Sequence, residues 1–163
     1  MRPYYLNVKS GDTDNREGIA ARLYFQRLFG EGFVRDRTRP GINALLNYGY
    51  TILRAAVSRA IVASGLFPAI GIYHHNRSNA FPLADDLMEP YRPFVDDAVY
   101  DLTIQGNLDL TKETKSKLIM VLYCDTSFEK VMRPLSVGLS MTTSSLAKCY
   151  AKEIVKLNLP SIL

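Results

Sequence analysis

Apolar residues recur at three- and four-residue steps along most of this chain, and that spacing predicts helices. From Arg16 to Phe29, Ile19, Ala20, Leu23, Tyr24 and Leu28 form one face, and Asp12-Thr13-Asp14-Asn15 ahead of it supplies competent N-caps. Gly30 ends that helix, and Gly32 to Pro40 is a loop carrying Arg35, Arg37 and Arg39. The longest periodic segment is Gly41 to Ala63, where Ile42, Leu45, Leu46, Ile52, Leu53, Ala56, Val57, Ala60 and Ile61 make a continuous stripe. Gly49 lies inside that stripe at a cost of about 1 kcal/mol relative to alanine, which implies close helix packing or a ligand approach. Pro82 suits the first turn of the next helix, and Pro90 and Pro93 break or kink it before helical patterning resumes over Val95 to Ile104. A charged helix follows from Thr111 to about Val121, and the pattern from Thr126 to Arg133 is compatible with a short hairpin. Pro134 opens a last helix running to about Leu157, with Leu139, Leu146, Tyr150, Ile154 and Val155 as core positions. Only the extreme N-terminus shows any strand-like alternation. The expectation is an all-α protein, an irregular bundle of about five or six helices, with residues 1–13 extended and 14–163 one helical domain.

Composition narrows this picture in three ways. At 163 residues and 47% apolar content the chain is a single globular unit rather than a disordered tail. Its longest uncharged apolar run, Ala60 to Tyr73, is too short to span a bilayer and is interrupted by Gly65, Pro68 and Gly71. Cys124 and Cys149 match no zinc or redox spacing and read as buried thiols of a reducing compartment. With no signal peptide recognisable in Met-Arg-Pro-Tyr-Tyr, the expected location is the cytoplasm.

The net charge of +4 is modest, but its distribution is uneven. Ten of the Lys and Arg residues and five acids fall within positions 1–59, whereas positions 85–101 hold six acids and Arg92 alone. A basic surface beside an acidic pocket suits delivery of a polyanion to metal ions. The acidic stretch follows the only two histidines, His74 and His75, and contains Asp85, Asp86 and Glu89. Helical spacing puts Asp86 or Asp85 on one face with Glu89, an arrangement that a divalent cation would neutralise. The plain alternative is that Asp85 and Asp86 are first-turn acids facing the positive end of a helix dipole. Neither a Gly-rich phosphate loop nor a nucleophile elbow is present. What remains is an oxygen-rich set with one imidazole, Glu17, His74, Asp86 and Glu89, whose chemistry suits Mg²⁺ or Mn²⁺. Asn47 and Tyr48 either line a polar pocket or are ordinary packing.

Three ordered runs carry a resemblance: Asn15-Arg16-Glu17-Gly18-Ile19-Ala20-Ala21-Arg22-Leu23-Tyr24-Phe25, Asn43-Ala44-Leu45-Leu46-Asn47-Tyr48-Gly49-Tyr50, and Leu83-Ala84-Asp85-Asp86-Leu87-Met88-Glu89-Pro90-Tyr91-Arg92-Pro93, with Gly71-Ile72-Tyr73-His74 between the last two. They resemble the larger of the two universal CRISPR adaptation proteins, the spacer-integration endonuclease, in the form found with type II systems. The resemblance covers residues 14–102 well and the chain from Gln105 onward weakly. It implies a helical catalytic domain in which Glu17, His74 and Glu89 are catalytic and ligate Mg²⁺ or Mn²⁺, with Asp86 as a further acid some members use. His75 falls outside the motif register. The implied reaction is attack by the 3′-hydroxyl of a captured DNA fragment on a phosphodiester of the CRISPR repeat, in the cytoplasm of a prokaryote. Arg16, Arg22, Arg35, Arg37 and Arg39 are the expected phosphate contacts. The implied partners are double-stranded DNA, as spacer precursor and as repeat, and a small ferredoxin-like adaptation protein, with homodimerisation in a full-length parent. Family members begin with a β domain ahead of the glutamate motif, so the expectation here is a fragment lacking it. The rival expectation is a catalytically silent helical module that only binds partners.

Overall fold

The protein is described by a computed structural model covering residues 15–73, 78–128 and 131–161. The described residues form six α-helices, two 3₁₀ turns and one pair of strands. In chain order these are α1 (Arg16–Phe29), α2 (Ile42–Ala63), α3 (Pro82–Met88), α4 (Arg92–Ile104), α5 (Lys112–Met120), β1 (Asp125–Phe128), β2 (Val131–Pro134) and α6 (Leu135–Tyr150), with 3₁₀ turns at Glu89–Tyr91 and Val121–Tyr123. The all-α expectation therefore holds, and the extended segment expected over residues 1–13 lies outside the described residues. No helix among them is long and apolar enough to cross a membrane.

Four of the other helices, α3, α4, α5 and α6, pack around α2. Its stripe residues Leu45, Leu46, Leu53, Val57 and Ile61 are sealed from solvent, and Leu83, Leu87, Val95, Val99, Leu118, Leu135 and Leu139 close over them. Gly49 shows why a costly residue sits mid-helix. A Cβ there would stand 2.5 Å from Cγ1 of Val95, so α4 approaches α2 only because that side chain is missing.

The chain from Pro82 to Ile104 is one helical run interrupted by the 3₁₀ turn at Glu89–Tyr91, as the prolines predict. Pro90 and Pro93 lack the N–H groups that would bond back to the preceding turn. The turn delivers Tyr91 into the core and leaves Glu89 on the surface. Tyr91 hydrogen-bonds Thr142 Oγ1 at 2.6 Å, and Thr142 Oγ1 donates to the Asn158 carbonyl at 2.6 Å.

The hairpin pairs Asp125 with Pro134 through to Phe128 with Val131, and Ser127 bridges to Ser161. The last helix ends at Tyr150 rather than near Leu157. Lys152 adopts φ 61°, and the Glu153 and Lys152 amides return to the Lys148 and Cys149 carbonyls, a Schellman stop that a lysine rather than a glycine supplies. Tyr150 at the helix end and Val155 past the stop are exposed, and Asn158 folds back to bond Ser145 and Thr142. Cys124 and Cys149 are unbonded and half-buried.

Gly49→Ala should destabilise the fold by about 1–3 kcal/mol through overpacking. Combined with Val95→Ala it should cost less than the two single changes summed, because the second change removes the atom struck by the first. Urea unfolding of the four proteins checks this, and strict additivity would show that the two residues do not meet.

Candidate functional site

The polar side chains of α2 fall on a stripe of their own. Asn43, Asn47, Tyr50 and Arg54 follow one another at three- and four-residue steps, so they share a face. Together they engage three different segments. Asn43 Oδ1 accepts from the Arg35 guanidinium at 3.0 Å and from the Asp36 amide at 2.8 Å, while its Nδ2 donates to the Val34 carbonyl. Asn47 Oδ1 accepts from Arg35 at 2.7 Å, and its Nδ2 donates to the Arg37 carbonyl at 2.8 Å. The arginine loop is thus stapled to the central helix. Asn47 is a loop clamp rather than the lining of an open pocket, and Arg35 already serves the fold. Arg39 pairs with Asp36 at 3.2 Å on the surface, and Arg37 is exposed. Tyr48 points elsewhere, packing on the core beneath the Lys115 ammonium.

Arg54 and the start of α3 bracket the histidine segment. Arg54 Nε lies 2.7 Å from Asp85 Oδ1, and its Nη2 donates to Asn79 Oδ1 at 2.6 Å. Asn79 Nδ2 in turn donates to Asp85 Oδ2 at 2.6 Å, and the Arg54 guanidinium lies over the Phe81 ring. One residue along α3, Asp86 Oδ2 accepts from the backbone amides of Ile72 at 2.6 Å and Tyr73 at 3.1 Å. His74 and His75 lie outside the described residues, but the chain on either side of residues 74–77 is tied down by Asp86 and Asp85. Asp86 therefore holds the backbone immediately before His74, and Glu89 follows it three residues later.

Asp96 on α4 is the deepest acid of the described residues, 3% exposed. It accepts from the Tyr24 hydroxyl of α1 at 2.8 Å and from the Tyr50 hydroxyl of α2. Arg92 lies over the Tyr50 ring, 5.2 Å from its centroid, and pairs with Glu89 at 3.0 Å; Arg35 lies over the same ring at 5.7 Å. Burial, then the Asp96 charge, push both tyrosine hydroxyls up, so they stay donors at any working pH. Burial also pushes the Asp96 carboxyl up, against the pull of the two hydroxyls and the two arginines.

α1 needs such a bond, because none of its residues is buried. A further anchorage is aromatic: Phe25, Phe29 and Phe33 cluster with ring centroids 5.0–6.4 Å apart at the edge of the core. Glu17 stands in its first turn and Arg22 is exposed. Asn15 folds its side chain over Gly18, where a Cβ would collide with it. Among the described residues no three His, Cys, Asp or Glu side chains gather into a group that could hold a metal. Three members of the expected set of four, Glu17, Asp86 and Glu89, belong to them, the two glutamates on the surface, and the fourth, His74, does not. The donors themselves, two carboxylates and an imidazole, have the chemistry that Mg²⁺ or Mn²⁺ requires. Sequence reading does not single out Asp96; the seven-residue spacing of Glu17 to Tyr24 and of Glu89 to Asp96 is the available signal.

Comparison with known proteins shows which family the chain resembles. A family model described as "CRISPR associated protein Cas1" matches residues 12–133, which include all the candidate ligands. The chain is 43% identical to the CRISPR-associated endonuclease Cas1 of Neisseria meningitidis serogroup C, over 100% of this chain and 54% of that protein. It is 32% identical to a CRISPR-associated endonuclease Cas1 of Francisella tularensis subsp. novicida, over 96% of this chain and 47% of that protein. A solved structure titled "Casposase bound to integration product" superposes with a TM-score of 0.76 at 26% identity, covering 92% of this chain and 53% of that one. The chain spans about half the length of the curated relatives it matches.

The Asp96 environment generates a pH prediction. Its folded pKa lies above the unfolded value, so its stabilising contribution is complete below the ordinary carboxylate range and is lost as pH rises through the folded value. The stability of the wild type relative to Asp96→Asn, which does not titrate, should therefore fall as pH rises from just below 4 and then level off. Chemical denaturation at a series of pH values measures this; a difference that grows with pH would mean the site favours the charged carboxylate.

Proposed function

The chain belongs to the Cas1 family, and we propose that it carries the metal-dependent active site of a DNA endonuclease and integrase that inserts DNA fragments into a CRISPR array. The observation that carries this reading is the double tether around the histidine segment: Asp86 binds the two amides just before His74 and sits three residues from Glu89 on the same helical run. A helix that both anchors the histidine segment and bears a carboxylate is how separate stretches of sequence are made to serve one site.

The reaction is a transesterification. The 3′-hydroxyl of the captured fragment attacks the phosphorus of a repeat phosphodiester, a new P–O bond forms, the old bond to the leaving 3′-oxygen breaks, and the proton given up on attack is matched by one gained at the leaving oxygen. Phosphodiester bonds are conserved in number, so no ATP is needed. Glu17, His74 and Glu89 would hold Mg²⁺ or Mn²⁺, which when bound supplies positive charge to the phosphoryl oxygens and lowers the pKa of the attacking hydroxyl. Arg92, pressed on Tyr50 and paired with Glu89, holds that carboxylate in place. Arg16, Arg22, Arg37 and Arg39 are the proposed phosphate contacts, positioning DNA without reading its sequence. The reading further includes a small ferredoxin-like partner protein, a homodimer, and a prokaryotic cytoplasm as the setting.

Glu17→Ala, His74→Ala and Glu89→Ala should each lower strand transfer of a 3′-hydroxyl duplex into a repeat-bearing plasmid by roughly 100-fold or more, and chelation should do the same. Undiminished transfer by His74→Ala, or in EDTA, would overturn the reading, and partner binding by a wild type that never cuts DNA would favour the silent interaction module. Separately, replacing Arg22, Arg37 and Arg39 by alanine should flatten the salt dependence of duplex binding, by about 0.9 in log–log slope for each phosphate no longer neutralised. Arg35→Ala should instead lower the melting temperature, since its guanidinium bonds Asn43 and Asn47. A triple variant with an unchanged slope would place the DNA surface elsewhere.

A further inference from the structure

We propose that the Tyr24–Asp96 hydrogen bond is a positioning device that sets the distance between Glu17 and Glu89, with Asp96 acting on the site through α1 rather than by touching metal or DNA. The inference rests on the reading of those two glutamates as metal ligands.

The geometry is specific. Glu17 and Tyr24 are seven residues apart on α1, two helical turns on nearly the same face. Glu89 and Asp96 are seven residues apart on the run that joins the 3₁₀ turn to α4. The bond thus joins the two elements at points seven residues along the chain from each carboxylate. Each lies about 10 Å along its helix from that bond. No residue of α1 is buried, and its aromatic cluster of Phe25, Phe29 and Phe33 lies at the end far from Glu17. A tilt of α1 by about 10° about the cluster would move Glu17 by about 2 Å or more, as far as a metal–oxygen bond is long. Asp96 resists such a tilt because it is itself fixed. It is buried, it takes a second bond from Tyr50 on the central helix, and its own helix is locked to α2 at Gly49.

Tyr50 provides an internal control. Tyr50→Phe removes a hydroxyl from the same carboxylate but leaves α1 attached, and it keeps the ring on which Arg92 and Arg35 rest. Tyr24→Phe removes the bond that crosses to α1 while keeping the ring beside Phe25, at 5.2 Å. A merely structural carboxylate would respond to both changes alike.

Two measurements test this. Mn²⁺ affinity is read by titration of the electron paramagnetic resonance signal, with Glu17→Gln as the ligand control. The α1–α4 separation is read by pulsed dipolar spectroscopy between labels at Ala21→Cys and Asp101→Cys, in a background with Cys124 and Cys149 replaced by serine. Tyr24→Phe should weaken Mn²⁺ binding about 10-fold or more and broaden the distance distribution, whereas Tyr50→Phe should leave the distribution narrow and the affinity within about 2-fold. An unbroadened distribution in Tyr24→Phe would overturn the proposal whether or not Mn²⁺ binds. A broadened distribution with unchanged affinity would overturn the link to the site. If the wild type binds no Mn²⁺ through Glu17 while Tyr24→Phe still broadens the distribution, the metal-site reading fails, and the positioning of α1 by Asp96 stands without it.

Discussion

A helix enclosed on most sides must find a partner for every polar group it takes into the interior, and α2 meets that demand with two stripes. One is apolar and carries the core, with α3 to α6 closed around it. The other, Asn43, Asn47, Tyr50 and Arg54, reaches in turn the arginine loop, the buried carboxylate of α4, and the segment between α2 and α3. The chains bearing the candidate ligands are connected to this second stripe: Glu17 through Tyr24 and Asp96, Glu89 through Arg92 and Tyr50, and the flanks of the histidine segment through Arg54 and Asp85. The site is organised from below by one helix that contributes none of the proposed ligands.

Much of the fold is legible in the sequence because its signals are local. The stripe of α2, the glycine stop at Gly30, and the prolines at 82, 90 and 93 each act within a few residues, and the helices fall where they predict. The end of α6 is not legible. Its stop is a Schellman turn at Lys152, and only a glycine or asparagine there would have announced it. Ile154 and Val155 continue the apolar count past that stop, but they follow the turn and are not in the core. The hairpin is half legible, since its strands are four residues each and gain their register from Thr126 and Arg133 and from the distant Ser161.

The candidate site divides in the same way. Glu17 and Glu89 can be named from sequence because they stand in recognisable runs, but how they are held is a tertiary property. Nothing local marks Asp96 as the acceptor for two tyrosines from two other helices. The arginine loop reads as a flexible basic segment, yet Arg35 is half-buried and held by two asparagines lying one turn apart on α2. Amides on a helix of this kind need partners, and the partner here is the loop rather than a ligand.

The proposed function requires segments far apart in sequence to place Glu17, His74 and Glu89 around one cation. Anomalous diffraction from a crystal soaked in Mn²⁺ tests that directly, because it locates the ion without reference to activity. The predicted result is one strong peak with a carboxylate oxygen of Glu17, an imidazole nitrogen of His74 and a carboxylate oxygen of Glu89 all within bonding distance. A peak elsewhere, or three side chains directed to different faces around none, would contradict it.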